Sequence, residues 1–441
     1  MKKIIFSLLT LVVLLVACEP KTVSDKFQIP AVHDVVMYQV NPRVFADSAS
    51  LKAVTARIDS IADLGVNMIW VMPIYPIGEE KSKNSPYSIR DYKAIASEFG
   101  TIDDFKALVA ACHERGMGLI LDWVANHTAW DNVWLKDQGH KDWYTQDSAG
   151  NIIFPPGTDW TDVADLNYDN REMRDAMIDA MRYWIVEVGI DGFRCDVADQ
   201  VPADFWKEAI DKLREEAGRN ILMLAEGNEK NTFAAGFDMN YAWDFRATLK
   251  RVFAGDSVQK LIAADSLEYD SLPDTKVKLR FTTNHDESTK ATPVTEFVNV
   301  RGSMAAFVAT TYLHGGMLIY SSQEVGYPEP INFFNYVPVD WMANASLRSE
   351  YKLLVAVYNT HDALRSGSLK TYPDENVLVF EREKGNDHVL VFVNLRNEKH
   401  EVAVPKSWSG VTLNEVVRGE EIVLADKLTL EPFEYFVLTG K

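Results

Sequence analysis

The chain has 441 residues, of which 47% are hydrophobic, and a formal net charge of −19 at pH 7. Such a chain can bury a large core and is long enough for two or three domains. The acidic balance argues against nucleic acid as a partner and suits a neutral ligand. Eleven tryptophans and seventeen tyrosines supply flat amphipathic rings that suit sugar faces, although most of them are expected in the core.

The first residues have the layout of an export signal. Lys2 and Lys3 precede an apolar run over residues 4–16, which is too short to span a bilayer as a mature helix. The small residues before Cys18 resemble a bacterial lipobox, which implies cleavage after residue 17 and lipid attachment to the Cys18 thiol. An ordinary signal peptide cleaved nearby is the alternative. We expect export and lipid anchoring to the bacterial cell envelope, on its periplasmic or outer surface, with residues 18–29 as a tether and no other membrane contact.

Two further cysteines lie in the body of the chain. Cys112 belongs to a helical pattern and Cys195 to a strand pattern, so we expect two buried, unpaired thiols and no disulfide. The sequence gives no indication of the oligomeric state.

Strand and helix patterns alternate through most of the chain. Strand patterns cover residues 35–44, 67–71, 118–122, 189–197, 221–227, 279–286 and 317–320, and helical patterns cover 51–64, 105–115, 173–188, 205–213, 302–313 and 351–364. This alternation predicts a (β/α)8 TIM barrel over residues 30–126 and 169–364. Residues 127–168 lack periodicity but are rich in tryptophan, which favours a small inserted domain after strand 3. Short alternating runs over residues 365–441 predict a C-terminal antiparallel β-sandwich.

Four of the predicted strands end in polar groups. Parallel barrels carry their active sites at the face where the strands end, so these groups are expected to converge there. The groups are Asp122, Asn126 and His127, then Arg194 and Asp196, then Glu226, and finally Asn284, His285 and Asp286.

Two of these carboxylates suit the cleavage of an acetal. Asp196 lies beside Arg194 on one face of its strand, which should lower the pKa of Asp196 and keep it ionised as a nucleophile. Glu226 follows an apolar run and has no cation beside it in sequence, which should raise its pKa and suit a general acid. Taken alone, the Arg194–Asp196 stretch is explained equally well by a structural ion pair, and Glu226 is explained better by an ordinary salt bridge at a strand end.

The same stretches resemble the four signature regions of the α-amylase superfamily, glycoside hydrolase family 13, in the order of that family. Residues 65–73, 85–92, 165–167 and 316–320 resemble further motifs of it, so the resemblance covers nearly everything after the leader. The four signatures are Asp122-x-x-x-Asn126-His127, Gly192-Phe193-Arg194-x-Asp196, Glu226 and Asn284-His285-Asp286.

The resemblance assigns the same roles to the two carboxylates and adds a substrate-binding set. Asp286 would be the third carboxylate, which holds the 2- and 3-hydroxyls of the distorted sugar. His127 and His285 would donate hydrogen bonds to hydroxyls of the same sugar. The other residues that the resemblance places around the substrate are Tyr87, stacked beneath the ring, Asp122 and Arg194.

The resemblance also bears on calcium, although the chemistry itself should need no cofactor. Asn126 and a carboxylate of the insertion, Asp162 or Asp165, resemble the family's calcium site, and such oxygen ligands suit Ca²⁺. Many members carry Lys-His shortly after the nucleophile, where this chain has Asp199 and Gln200. Any residue can supply a backbone carbonyl, so a structural Ca²⁺ stays open, whereas ordinary endo-amylase specificity is put in doubt.

The sequence therefore predicts a retaining hydrolase that cleaves α-glucosidic bonds in starch-derived or related α-glucans by double displacement. The alternatives are a transglycosylase on the same substrates and a non-catalytic glycan-binding member of the fold. Intact carboxylates favour an enzyme, but hydrolysis and transglycosylation share the covalent intermediate. Val197 resembles the choice of α-1,6-preferring members, yet valine is also the ordinary packing residue of a buried strand.

Overall fold

The computed structural model describes residues 27–440. The predicted leader and Cys18 lie outside the described residues. None of the helices within residues 27–440 is both long enough and apolar enough to cross a membrane. The elements, in chain order, are β1 (Val36–Val40), α1 (Ser50–Ala62), β2 (Met68–Val71), α2 (Ile102–His113), β3 (Gly118–Trp123), β4 (His127–Ala129), α3 (Val133–Lys136), β5 (Val163–Asp165), α4 (Arg171–Arg182), β6 (Gly192–Cys195), α5 (Ala203–Ala217), β7 (Leu222–Ala225), α6 (Asn231–Ala234), β8 (Met239–Tyr241), α7 (Trp243–Phe253), α8 (Gln259–Tyr269), β9 (Val277–Arg280), α9 (Pro293–Glu296), α10 (Val300–Thr311), β10 (Gly316–Tyr320), α11 (Ala345–Thr360), α12 (Asp362–Ser366), β11 (Ser368–Tyr372), β12 (Val377–Lys384), β13 (Asp387–Asn394), β14 (His400–Ala403), β15 (Thr412–Glu415), β16 (Glu420–Val423), β17 (Lys427–Leu430) and β18 (Tyr435–Thr439).

Eight parallel strands close a barrel in the order β1-β2-β3-β6-β7-β8-β9-β10, which confirms the predicted fold class. Side chains alternate across each strand, so one set fills the barrel and the other packs against the surrounding helices. Met37, Trp70 and Ile120 belong to the inner cluster. Tyr38 and Ile69 belong to the larger outer cluster.

The patterns in the sequence did not indicate β8. This strand has only three residues, Met239–Tyr241, and its central Asn240 interrupts the apolar run. Its place in the barrel is set by parallel pairing on both sides, with β7 and with β9. Tertiary pairing thus forms a strand that local sequence alone does not mark.

Two predicted elements end earlier than expected. The strand predicted over residues 35–44 stops at Val40, because the Asn41 side chain accepts from the Arg43 backbone N–H and Pro42 begins a 3-10 turn. The helix predicted over residues 173–188 is α-helical to Arg182 and continues as a π-helix over Tyr183–Val188. The thiols of Cys112 and Cys195 are free and buried, as predicted.

The segment between β3 and α4 forms an ordered layer beside the barrel. Its strands β4 and β5 pair antiparallel, with His127 opposite Asp165 and Ala129 opposite Val163. Trp134 is buried and packs edge-on against Trp143, with 5.5 Å between ring centroids. These two tryptophans therefore form part of the core and do not face substrate.

The C-terminal part is an antiparallel β-sandwich, as predicted. One sheet has six strands in the order β11-β12-β13-β18-β15-β16, and β14 pairs with β17 in a second, smaller sheet. Val379 and Phe392 of the large sheet share a buried cluster with Val402 and Leu430 of the small one. The two sheets therefore pack face to face.

Candidate active site

The barrel register brings the predicted polar groups to one end of adjacent strands. Asp122 on β3 lies opposite Arg194 on β6. Cys195 lies opposite Ala225 on β7, and the Glu226 backbone N–H donates to the Cys195 carbonyl at 2.9 Å, so Asp196 and Glu226 follow side by side. Neighbouring strands are about 4.8 Å apart, which sets the scale of the site.

A cavity of about 410 Å³ opens at this end of the barrel. Six of the predicted catalytic or substrate-binding residues line it, whereas Asp122 and Arg194 lie beneath its floor with no exposed surface. Among the three carboxylates predicted to be catalytic, Asp286 is the most exposed, with 40% of its side chain accessible. The lining residues are Lys83, Ser85, Tyr87, His127, Trp160, Asp162, Val163, Asp196, Val197, Glu226, His285, Asp286 and Phe334.

The buried guanidinium of Arg194 joins three carboxylates. Its Nη1 donates to Asp122 Oδ1 at 2.7 Å and to Asp196 Oδ1 at 2.8 Å. Its Nη2 lies 2.8 Å from Glu226 Oε2. Glu226 thus has a neighbouring cation in space although none lies beside it in sequence, because β6 places Arg194 next to it. Such sharing fixes both carboxylates on one rigid planar group.

Burial dominates the protonation of the two carboxylates. It raises the pKa of Asp196 to about 6, since Arg194 lowers that pKa less than burial and the Asp122 charge raise it. The predicted lowering of the Asp196 pKa is thus wrong, because desolvation and a second carboxylate outweigh the cation. Burial raises the pKa of Glu226 further, to about 8, against the pull of Arg194 and with the charges of Asp196 and Asp286 adding to the rise.

A hydrogen-bonded chain runs along the floor of the cavity. Gln39 Nε2 contacts His285 Nδ1 at 2.8 Å, so the proton of the His285 ring belongs on Nε2. His285 Nε2 contacts Tyr87 Oη at 2.7 Å, and Tyr87 Oη donates to Asp122 Oδ2 at 3.2 Å. Burial lowers the pKa of His285 to about 4, so its ring is neutral at neutral pH. Tyr87 and His285 are thereby fixed in orientation by Asp122.

His127 and the insertion form one wall of the cavity. Burial lowers the pKa of His127 to about 4, against the opposing charge of Asp162, so the ring is neutral. Trp160 packs edge-on against it, with 5.5 Å between ring centroids. The Asp162 carboxylate faces the Lys83 ammonium at 3.3 Å, across the junction of the insertion and the loop after β2.

The two carboxylates offered as calcium ligands with Asn126 lie in different surroundings. Asp165 is opposite His127, next to Asn126, in the β4–β5 ladder. Asp162 precedes the other end of β5, where its carboxylate lies 3.3 Å from the Lys83 ammonium and its charge acts on the His127 ring. Within the part of the chain that the structure describes, Asp165 is therefore the carboxylate of the two that has no ion pair with a neighbouring lysine. Over residues 27–440 the one convergent trio of potential metal ligands is elsewhere, in the C-terminal sandwich: Glu381, Glu383 and His388.

Several residues of the site carried no signal in the sequence analysis. Trp70 Nε1 donates to Asp122 Oδ2 at 3.0 Å, and the Arg194 guanidinium lies over the Trp70 ring. Arg194 Nε donates to Tyr241 Oη at 3.1 Å. Trp70 points into the barrel from a predicted strand, so the alternation of inward and outward side chains could have identified it. Tyr241 lies on β8, which was not predicted.

Val197 differs from its predicted role as a buried strand residue. β6 ends at Cys195, and Val197 adopts the left-handed conformation, with φ of 37° and ψ of 45°. Its backbone N–H donates to Glu226 Oε2 at 2.8 Å. A β-branched residue in this region is strained by about 1 to 3 kcal/mol, and the turn aims a donor at the carboxylate.

Two protein-family models match this chain. The family model described as "Alpha amylase, catalytic domain" matches residues 39–389, and the model "Maltogenic Amylase, C-terminal domain" matches residues 369–437. The chain therefore belongs to the α-amylase family.

One curated relative is the α-amylase MalA of Haloarcula japonica, which is 28% identical over 414 residues, covering 88% of this chain and 58% of MalA. The chain thus spans little more than half the length of that relative. Two solved structures are similar over 93% of this chain and 99% of their own. One is an α-amylase from Lactobacillus plantarum, with 27% identity and a TM-score of 0.84. The other is the noncanonic maltogenic α-amylase AmyB from Thermotoga neapolitana, with 26% identity and a TM-score of 0.83.

Proposed function

We propose that this chain is a retaining α-glycoside hydrolase that cleaves α-glucosidic bonds in starch-derived or related α-glucans. The observation that carries the proposal is the pair of carboxylates, Asp196 and Glu226, that share the guanidinium of Arg194. Retaining enzymes hold their two carboxyl groups about 5 to 5.5 Å apart, closer than the roughly 6.5 to 9.5 Å of inverting enzymes. Two carboxylates on one guanidinium favour the shorter separation.

The proposed reaction has two displacements. Asp196, ionised above its pKa of about 6, attacks the anomeric carbon while Glu226, protonated below its pKa of about 8, gives its proton to the departing glycosidic oxygen. Water then attacks the same carbon and gives a proton to Glu226, which releases Asp196 as a carboxylate. The covalent intermediate between these steps preserves the anomeric configuration.

The neighbouring residues suit a neutral sugar in the cleavage position. Tyr87 offers its ring, and the neutral ring of His127 offers a hydrogen bond to a hydroxyl without placing a cation near the developing positive charge of the sugar. His285 is also neutral, but its two ring nitrogens already contact Gln39 and Tyr87, so it positions Tyr87. Asp286 is exposed to the cavity and can accept from two adjacent hydroxyls. The amylase relatives support an α-glucan as the substrate.

The test is a time course of products from maltohexaose, pullulan, panose and isomaltose, with the anomer released first identified by NMR. We expect cleavage with retention, and the preferred substrate decides the linkage. Asp196→Asn should lower kcat by at least about 10⁴-fold, whereas the exposed control Asp204→Asn should keep wild-type rates. Near-normal turnover by Asp196→Asn, or release of the inverted anomer, would refute the mechanism, and products longer than the substrate would indicate transglycosylation.

The role of Glu226 has its own test. Glu226→Gln removes the proton donor, so natural oligosaccharides should be cleaved at least about a hundredfold more slowly. A 4-nitrophenyl α-maltoside, whose leaving group needs no proton, should lose much less in the first displacement. Equal losses on both substrates would contradict a role as general acid.

We also propose that the protein is exported and held at the cell envelope by lipid on Cys18, which rests on the sequence of residues 1–18. Cys18→Ser should move the protein from the membrane fraction to the soluble fraction. An unchanged membrane fraction would remove the lipoprotein assignment.

Calcium remains a narrower proposal, restricted to Asn126 and Asp165. Both offer oxygen ligands at the same end of the β4–β5 ladder, and a bound Ca²⁺ would tie the insertion to the barrel. Added Ca²⁺ should then raise the unfolding temperature of the wild-type chain but not of Asp165→Asn. An unfolding temperature that is the same in Ca²⁺ and in chelator would refute the site.

A further inference from the structure

A second cavity, of about 520 Å³, lies between α6, α7 and α8 on the outside of the barrel. It is separate from the proposed active site, and no residue lines both cavities. Phe233, Ala263 and Leu267 give it apolar walls. Four basic and two acidic side chains line it, in a chain whose overall charge is −19. The cavity is therefore a locally basic site on an acidic protein.

The feature that marks this cavity as a binding site is Lys278 on β9. The residue is only 4% exposed, and its side chain lines the cavity. Within residues 27–440, its ammonium has no carboxylate at ion-pairing distance and forms no hydrogen bond. Arg280, two residues along the same strand, instead pairs with both Asp265 and Glu268. Burial disfavours the charged form and lowers the pKa of Lys278 to about 8, and the ammonium is left facing the cavity.

The surrounding carboxylates compensate Lys278 only in part, since the charges of Glu268, Asp244 and Asp199 raise its pKa less than burial lowers it. Of these carboxylates, Glu268 has the largest effect on the pKa of Lys278. Its Oε2 lies 2.6 Å from Arg280 Nη1, so Glu268 is already paired with Arg280. Asp199 accepts from the backbone N–H of Asn228 at 2.9 Å. The remaining carboxylate of the lining is Asp244.

The second unmet group in this cavity is an acceptor. Asn228 Oδ1 is buried and has no hydrogen-bond partner within the described chain. Asn228 is two residues beyond Glu226, in the loop that follows β7. A ligand that carries both negative charge and hydroxyl groups would satisfy the ammonium and the amide oxygen together.

We propose that this cavity binds a phosphate group through Lys278, either as inorganic phosphate or as the phosphate of a phosphorylated sugar. The exposed side chains of Arg251 and Lys260 stand at the same cavity and share one carboxylate, Asp256, so two cations there face a single anion. Arg251 offers a planar fork of donors that matches phosphate geometry. The volume exceeds what inorganic phosphate needs, and Asn228 and Asp244 can accept from the hydroxyls of an attached sugar.

The test measures ligand-dependent unfolding temperatures of the full-length chain in detergent, at constant ionic strength. Inorganic phosphate, glucose 6-phosphate and glucose are compared, with sodium chloride as the ionic-strength control. The phosphate-bearing ligands should raise the unfolding temperature by about 2 to 5 °C at a hundredfold excess over Kd, and glucose should not. A larger effect of glucose 6-phosphate would identify the sugar phosphate as the ligand, and equal effects would identify free phosphate.

Three variants separate binding from structure. Lys278→Met should lose the phosphate response, while without ligand it should unfold at or above the wild-type temperature, because methionine fills the space without a buried charge. Lys260→Gln should weaken binding several-fold. Lys207→Gln, an exposed lysine paired with Asp211 on α5, should bind as wild type. Phosphate binding that survives Lys278→Met, or a response matched by sodium chloride or glucose, would overturn the proposal.

Discussion

Asp122 gives the sharpest test of how the active site sets its own pH range. The residue has no exposed surface and does not line the cavity, yet it accepts from the same nitrogen of Arg194 as Asp196 does. Asp122→Asn keeps the shape of the side chain and removes its charge. Arg194 then has one carboxylate fewer to compensate, so the pKa of Asp196 should fall.

The expected size of the shift follows from the geometry. Asp122 Oδ1 and Asp196 Oδ1 lie 2.7 and 2.8 Å from one nitrogen, so they are at most about 5.5 Å apart. Two unit charges at that distance repel by about 3 kcal/mol at an effective dielectric constant of about 20, which corresponds to about two pKa units. Asp122 itself is only partly ionised, since burial raises its own pKa to about 6 despite the opposing charge of Arg194. We therefore expect the Asp196 pKa to fall by about one unit.

The assay is kcat/KM against pH on the best α-glucan substrate. For the wild type we expect a bell with an acid limb near pH 6, where Asp196 loses its proton, and an alkaline limb near pH 8, where Glu226 loses its proton. Asp122→Asn should move the acid limb to about pH 5. The plateau should also drop, because Tyr87 and Trp70 lose the carboxylate that orients them.

A matched control separates electrostatics from general damage. Asp191 is also fully buried and ion-paired, with Arg219 at 2.6 Å, but it lies at the opposite end of β6. Asp191→Asn should lower the unfolding temperature and leave both limbs in place. An acid limb that stays fixed or moves upward in Asp122→Asn would refute the view that one guanidinium couples these carboxylates.

Three further variants test other features of the site. The folded pKa of Glu226, about 8, lies above its ordinary value of 4.5, so the native state loses stability as pH rises between these values. Glu226→Gln should therefore unfold at a higher temperature than wild type at pH 9 and at about the same temperature at pH 4. The same difference in unfolding temperature at both pH values would contradict this. Tyr87→Phe removes the hydroxyl between His285 and Asp122 and should lower kcat/KM about tenfold. It should also lower the unfolding temperature, because a buried donor on His285 loses its partner. An unchanged kcat/KM would show that this hydrogen bond does not contribute to turnover. Val197→Asn should stabilise the chain by about 1 kcal/mol in urea denaturation, since asparagine tolerates the left-handed conformation, and a loss of stability would argue against strain.

Much of the barrel could be predicted because its strands are apolar runs between helical patterns. The runs at residues 118–122 and 317–320 are buried on both faces, which the sequence records directly. β8 could not be predicted in the same way, since Met239–Tyr241 is short and is held by its two neighbouring strands. Local pattern therefore predicts a strand only where the strand carries its own apolar surface.

The positions of the site residues could be predicted for a related reason. Arg194 and Asp196 are two residues apart, so they lie on the same side of the chain at the end of β6. The register of β6 and β7 sets Glu226 beside them. Asp162 shows the limit of this reasoning. The sequence analysis proposed its carboxylate as a calcium ligand. In the structure that carboxylate is paired with Lys83, from a loop about 80 residues earlier in the chain. Contacts between loops are not recorded in local sequence.

The electrostatics of the site depends on how many carboxylates share one cation. Arg194 faces Asp122, Asp196 and Glu226, whose side chains are only 0%, 11% and 14% exposed, so there is little solvent to help one positive charge balance three negative ones. Some of these carboxyl groups must keep protons at neutral pH, and the one with the highest pKa, Glu226, keeps its proton longest. The choice of general acid thus depends on how the three carboxyl groups share one cation. The sequence shows only that Arg194 and Asp196 are close, so it cannot show which group keeps its proton.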